Sequence, residues 1–381
     1  MPLNEEELKK IVAEVVKALD VEEASPSREA SSGPVFNTVD EAVKEAGKAQ
    51  KIFQELGLEA RGKIISAMRK VSVENARRWA ELAVKETGMG RVQDKTAKNL
   101  LSANKTPGVE DLHSVSYTGD KGLTLVEYAP FGIVAAITPS TNPVATIISN
   151  AIGILAAGNS VVFSPHPAAK NCVQDAIKIL NHTIISAGGP ANLISTILAP
   201  TQESTRYLLC HDDINMSMVT GGPAIVKVAM TAGKPRKTIA AGPGNPPIVV
   251  DETAVIPHAV KEIITGCGFD NNVLCIAEKE VVLVEKIKSQ FMEGMRKDPR
   301  AYELTPSQMD QLAKIAIPEP GKEPKVNRDF IGRNPSVIAR AIGLNLPDEI
   351  RVLWAETSSD HPFMVSEQLM PVLPVTSAKN V

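Results

Sequence analysis

Apolar residues recur at helical spacing from the start of the chain: Leu8, Ile11, Val12, Val15, Val16 and Leu19 form one stripe, with glutamates and lysines opposite. Asn4 and Glu7 have the spacing of a capping box, and acids precede lysines as a helix dipole favours. The stripe predicts an amphipathic helix over residues 1–20. The following VEEASPSREASSGP (21–34) has almost nothing to bury and reads as a flexible linker. A helix on such a tether either packs back on its own domain or docks into another protein's groove. The pattern alone leaves both open.

From about Val39 to Asn104 the pattern is helical, with stripes at Ala42, Ala46, Ala49 and Phe53 and at Ile64, Ile65, Met68 and Val71. SVSYTGDKGLTLVEYAP (114–130) alternates around Gly119 and Gly122 and predicts a β-hairpin. From Gly132, β-rich runs at 133–138, 161–164, 193–198, 216–220 and near 237–240 alternate with helical runs at 144–157, 168–186, near 202–210 and 223–231. Such β–α repetition predicts a parallel, doubly wound sheet, which takes nucleotides at the carboxyl ends of its strands. A second unit starts near Val249, with helices over 254–266 and 285–295, strands at 280–284 and 351–356, and a loop at 321–336.

Length and charge narrow the class. The 381 residues fit two domains, and 41 Lys+Arg against 44 Asp+Glu leave a net charge of −3, which speaks against a nucleic-acid binder. No run reaches the roughly 18 apolar residues of a spanning helix; the most apolar region, Phe131 to Phe163, is broken by Pro139, Asn142, Pro143, Asn150 and Asn159. MPLNEEELKK is acidic where a signal peptide is basic. Four scattered cysteines without a CxxC pair indicate a reducing, cytoplasmic compartment. With no HExxH and six dispersed histidines, no metal site is expected. Neither GxGxxG nor GxxxxGK[ST] occurs, and AAGPGNPP (240–247) has the wrong spacing for either.

CGFDNNVLCIAEKE (267–280) places Cys275 between a turn-prone DNN and an apolar run, at a loop-to-strand junction. A cysteine there is either a buried structural residue or an exposed nucleophile. Cys172 and Cys210 fall in helical patterns and are expected in the core, while Cys267 sits at a Gly-flanked helix end.

ITPSTNP (137–143), LAAGNSVVFSPHP (155–167), MVTGGPAIV (218–226), AAGPGNPPIVVD (240–251), FDNNVLCIAEKE (269–280) and SEQLMPVLPV (366–375) stand in the order of the aldehyde dehydrogenase superfamily. They most resemble its CoA-acylating branch, the acetaldehyde and propionaldehyde dehydrogenases of bacterial microcompartments. The resemblance covers about residues 36–375 and implies an α/β fold: a Rossmann-type parallel sheet domain, a second α/β catalytic domain and a β-hairpin oligomerisation element. The implied division is targeting helix 1–20, linker 21–35, NAD-binding domain 36–248 with the hairpin at about 114–128, and catalytic domain 249–381.

The implied activity is oxidation of a short aliphatic aldehyde with NAD and coenzyme A. Cys275 matches the nucleophile, and Asn142 the side-chain donor to the oxyanion, with the Cys275 N–H as the second donor. Thr138 and Pro139 match the strand end beside the nicotinamide half. Ser164, His166 and Pro167 replace the lysine-containing stretch that holds the adenine ribose in many relatives. Thr220, Gly221 and Gly222 match the turn near the pyrophosphate, with Gly222 where serine is common; Glu367 matches the nicotinamide-ribose contact.

Hydrolytic relatives carry a glutamate in an ELGGKNP-like stretch; the stretch here is AAGPGNP, with Ala240 at that position. Without that base, a thiol is the better acyl acceptor. The alternatives are a hydrolytic NAD-dependent enzyme and a catalytically silent microcompartment cargo. The resemblance gives residues 1–20 a role in binding a shell protein from the compartment lumen. It also implies a homo-oligomer at full length. The chain stops at Val381, several tens of residues before relatives usually end, so the catalytic domain is expected to lack its C-terminal part and the strand that pairs with a neighbour's hairpin.

Overall fold

A computed structural model describes residues 33–231, 237–320 and 325–381. The predicted helix over 1–20 and nearly all of the linker lie outside the described residues. Val35, the last linker residue in the division the resemblance implies, is instead the first residue of an edge strand, in register with Thr196.

Six parallel strands run in the order β1 (Val35–Phe36), β6 (Ile194–Ile197), β5 (Ser160–Pro165), β4 (Ile133–Thr138), β7 (Met216–Thr220) and β8 (Lys237–Ala241). Every residue of β4 is buried, because helices cover both faces of the sheet. Val134 and Ala136 enter one core with the Leu58–Thr87 and Pro143–Ala156 helices, whereas Ile133, Ala135 and Ile137 enter another with the Val39–Gln54 helix. The chain moves outward from β4 through β5 to β6, then returns to β7 on β4's other side. The crevice at the carboxyl ends of β4 and β7 is therefore a topological switch point.

A second, five-stranded parallel sheet has the order β11 (Ala301–Glu303), β12 (Val352–Glu356), β13 (Val372–Ala378), β10 (Glu280–Val284) and β9 (Pro247–Val250). The same alternation recurs, with Val352 and Trp354 facing one core and Leu353 and Ala355 the other. The antiparallel hairpin of β2 (Val115–Gly119) and β3 (Gly122–Val126) forms as expected, with every residue exposed.

Of the two stripes within the described residues, Ala42, Ala46, Ala49, Phe53, Ile64, Ile65 and Met68 are buried and Val71 is half-buried; the Leu58–Thr87 helix ends at Gly88, whose φ of 68° closes the last turn. Two readings need correction, and one strand has no counterpart in the sequence reading. The 321–336 loop runs into a helix at Pro335–Arg340. Cys210 is half-buried at the end of the Gln202–Cys210 helix, not in the core, and lines a surface cavity of about 540 Å³. Residues 372–378 form a central strand despite Pro374, a residue that normally argues against that position. Among the described residues no helix is long and apolar enough to cross a membrane.

Candidate active site

The Ile256–Gly268 helix ends in a tight turn over Phe269–Asn272, where Asp270, Asn271 and Asn272 have φ of 48°, 52° and 62°. Asn and Asp, after Gly, are the residues that enter this left-handed region at least cost, which is what the DNN run supplies. All three side chains are buried, so each needs polar partners. Asp270 Oδ1 accepts from the Arg91 N–H at 2.7 Å. Asn271 donates to Gly332 O and Asn334 Oδ1, and Asn272 donates to Cys267 O and Glu278 O. Lys279 is wholly buried, and its ammonium donates to Asn272 O and Oδ1 and, at 2.7 Å, to Leu274 O. Burial pushes the Lys279 pKa down to about 8, against the pull of Glu367 and the nearby thiols.

This scaffold presents Cys275 on a turn, half-buried, with a backbone N–H that meets no acceptor among the described residues. The Lys279 ammonium on Leu274 O polarises the same peptide group from its carbonyl end. Cys267, by contrast, is fully buried, and desolvation pushes its thiol up to about 12. Cys172 is likewise buried, with its thiol raised by desolvation and by Glu86.

Asn142 precedes Pro143 at the start of the Pro143–Ala156 helix, yet its side chain makes no capping hydrogen bond. Only its backbone carbonyl joins the helix, accepting from the Thr146 N–H at 3.1 Å. The freed amide donates at 3.2 Å to Val273 O, two residues before Cys275, and its Oδ1 accepts from Lys98 Nζ at 2.5 Å. Lys98 also pairs with Asp270, as does Lys95 at 3.0 Å. Lys95 further donates to Thr141 O at 2.7 Å. Desolvation, with Lys95 alongside, lowers the Lys98 pKa to about 8 although Asp270 opposes it.

The 242–246 segment closes the site from below. A Cβ on Gly244 would stand 2.3 Å from the Cys275 carbonyl oxygen, so only glycine permits this approach. The Gly244 N–H donates at 3.0 Å to Glu367, whose carboxyl pKa is raised by burial. Substituting Gly244→Ala must therefore displace the Cys275 turn. The expected result is a loss of turnover of roughly 10²-fold or more from misplacement alone, with the fold retained by circular dichroism.

Beside it, Asn245 donates to Glu280 Oε2 at 3.2 Å and to Met364 O at 2.9 Å. Desolvation raises the Glu280 pKa from 4.5 to about 7. In the folded state Glu280 thus holds a proton that the unfolded chain releases; the stability linked to it is complete below pH 4.5 and is lost as pH rises through 7. Glu280→Gln, a neutral mimic of the protonated form, should raise stability at pH 8 by roughly 1–3 kcal/mol and change little at pH 5. Denaturant melts at the two pH values check the sign.

Of the residues matched to a dinucleotide, Thr138, Pro139, Thr220, Gly221 and Gly222 lie at the carboxyl ends of β4 and β7, the switch point. Thr138 ends β4, is buried, and its Oγ1 has no hydrogen-bond partner among the described residues; Pro139 follows it. Thr220, Gly221 and Gly222 turn from β7 into the Pro223–Thr231 helix, and the Cα of Gly222 faces open space. A helix N-terminus at the carboxyl end of a parallel strand, as after Thr220–Gly222, suits a phosphate group. At the end of β5, Ser164 is buried and shares a 2.8 Å hydrogen bond with Thr205, while exposed His166 accepts from the Ala168 N–H and Pro167 begins a short turn. Glu367 accepts from the Gly244 N–H and lies close enough to Lys279 to act on its charge. Ala240 stands in β8, half-buried against the first sheet's core, and brings no carboxylate.

Sequence reading missed Lys95, Lys98, Asp270 and Lys279. Lys95, Lys98 and Asn99 lie on the buried face of the Val92–Lys105 helix, which their polar character does not announce in the sequence.

Fold and site define a doubly wound α/β protein with a nucleotide crevice at its switch point and a half-buried cysteine on the loop entering its second sheet. Residues 29–315 match the profile described as the aldehyde dehydrogenase family. The chain is 46% identical over 382 residues to acetaldehyde dehydrogenase (acetylating) EutE of Salmonella typhimurium, covering 100% of this chain and 80% of that protein. It superimposes with a TM-score of 0.86, at 42% identity, on a propionaldehyde dehydrogenase from the Clostridium phytofermentans fucose utilisation bacterial microcompartment, covering 91% of this chain and 78% of that one. Against Rhodopseudomonas palustris propionaldehyde dehydrogenase with bound propionyl-CoA the TM-score is 0.87 at 39% identity, over 95% and 79% of the two chains. The chain belongs to the aldehyde dehydrogenase family.

Proposed function

We propose that this protein oxidises a short aliphatic aldehyde, acetaldehyde or propionaldehyde, with NAD and coenzyme A to give acyl-CoA and NADH. The observation that carries the reading is the convergence of Cys275, its unpartnered N–H and the Asn142 amide on one buried polar scaffold. The chain's relatives include an acetylating acetaldehyde dehydrogenase and a propionaldehyde dehydrogenase with bound propionyl-CoA, which supports both aldehyde and acceptor.

The Cys275 thiolate attacks the aldehyde carbon, and the carbonyl π electrons move to oxygen as an alkoxide. The Cys275 N–H and Asn142 amide donate to that oxygen, whose charge is largest near the transition state. Thr138, Pro139, Glu367 and the Thr220–Gly222 turn would hold the dinucleotide, with Ser164, His166 and Pro167 on its adenosine side. When bound, that cofactor supplies a hydride acceptor. Loss of hydride from the thiohemiacetal carbon leaves a thioester on Cys275. Ala240 offers no base to activate water, so the thiolate of coenzyme A takes the acyl group and Cys275 leaves as thiolate.

The domain division at about residue 248 is supported by β9, which opens the second sheet at Pro247. Exposed Tyr117, Leu123, Leu125 and Val126 on the hairpin support a homo-oligomer. The amphipathic pattern of residues 1–20, together with a relative drawn from a microcompartment, supports targeting to a shell protein and a location in such a lumen.

Intact-mass measurement after mixing with NAD and propionaldehyde, without coenzyme A, tests the covalent step. One propionyl group should accumulate on Cys275 and disappear when coenzyme A is added. An unmodified mass while NADH forms would overturn the reading.

A further inference from the structure

An asparagine amide carries a donor and an acceptor on one flat group and can turn over unless its neighbours distinguish the two ends. The ammonium of lysine only donates. Lys98 Nζ lies 2.5 Å from Asn142 Oδ1, so the oxygen must face Lys98 and the NH₂ must face the Cys275 loop, where it reaches Val273 O at 3.2 Å. The void lined by Lys95, Lys98, Asn99 and Asn142 measures about 10 Å³, at the lower limit for a single water. The ammonium's acceptors among the described residues are Asn142 Oδ1 and Asp270 Oδ2.

We propose that Lys98 is a positioning residue for the Asn142 amide, fixing which end meets the reacting oxygen and strengthening it as a donor, with Asp270 holding the ammonium in place. This rests on the role given to Asn142 above. Charge balance does not account for Lys98, because Lys95 already pairs with Asp270 at 3.0 Å. Asp94, the next acid, is engaged by Arg351 at 2.8 Å and by the Asp270 N–H at 2.9 Å. A second buried ammonium for one carboxylate costs desolvation energy that an apolar residue would avoid. Its return lies at Asn142: a cation on the amide oxygen draws electron density from nitrogen and adds positive potential where the alkoxide forms.

A double-mutant cycle tests this, using Lys98→Met, Asn142→Ala and the combination. NADH formation with propionaldehyde, NAD and coenzyme A is read alongside the burst of p-nitrophenol released as p-nitrophenyl acetate acylates Cys275, a step that needs the cysteine and the oxyanion donors but no dinucleotide and no water attack. Asn142→Ala should lower kcat by roughly 10²–10³-fold and Lys98→Met by about tenfold or more, with the KM for NAD within about twofold of wild type. The double variant should fall within about threefold of Asn142→Ala alone, since Lys98 has nothing left to position. Lys98→Arg, which keeps a cationic donor, should recover part of the loss. Multiplying losses in the double variant, or wild-type kcat in Lys98→Met, would overturn the proposal. Lys98→Gln carries the same cycle if the methionine variant does not fold. Failure of the dehydrogenase reading is distinguishable: NADH formation is then absent in the wild type, while the ester assay still reports the coupling.

Discussion

Cys275→Ala lowers aldehyde oxidation by roughly 10⁴-fold or more and leaves dinucleotide binding and thermal unfolding close to wild type. No other group on the 267–280 segment can replace the sulfur. Cys267 is the nearest cysteine in sequence, but it is buried against Asn272, with its thiol held up near 12, so it carries almost no thiolate at neutral pH. The stability side of the prediction follows from the scaffold. Asp270, Asn271, Asn272 and Lys279 build the turn, and none of their hydrogen bonds ends on the Cys275 side chain. Cys267→Ala is the control, retaining turnover at a modest stability cost. NADH formation and melting temperature, measured on both variants, separate the two cysteines.

The second large effect is at Asn142, where alanine should cost roughly 10²–10³-fold in kcat with an unchanged KM for NAD, because the amide acts only on charge that develops during the reaction. A conventional N-cap predicts a different outcome: loss of helix stability by about 1 kcal/mol and little change in rate. The structure favours the catalytic effect, since the Asn142 side chain makes no capping bond. Comparing kcat, KM and unfolding midpoints for the variant distinguishes these directly.

Much of this arrangement was legible in the chain. The apolar run IVAAIT and the β–α rhythm from Gly132 led to the doubly wound sheet, because a strand covered on both faces leaves a plain apolar signature. Cys275 was placed correctly at a loop-to-strand junction from local sequence, and its chemical meaning came from the order of six motifs. The second sheet was harder. β11 has three residues and β13 contains Pro374, so neither shows the apolar run that marks a buried strand. The 321–336 stretch reads as loop because its prolines and charges hide the short Pro335–Arg340 helix.

The polar scaffold was hidden for a different reason. Lys95 and Lys98 meet Asp270 only when the Val92–Lys105 helix packs on the turn before Cys275, contacts more than 170 positions apart, and Lys279 is buried on that turn beside Asn272 and Leu274. A buried lysine looks like a surface lysine until its partner is in place. The same limit applies to Gly244, whose need for a missing Cβ appears only against the Cys275 carbonyl.

The central claim is that the acyl group on Cys275 leaves to a thiol and not to water. The most direct measurement is NADH formation from propionaldehyde and NAD, with and without coenzyme A, alongside assays for acyl-CoA and free acid. The account predicts sustained turnover only with coenzyme A, and one acyl-CoA formed for each NADH. Equal turnover without coenzyme A, with free propionate as product, would contradict it.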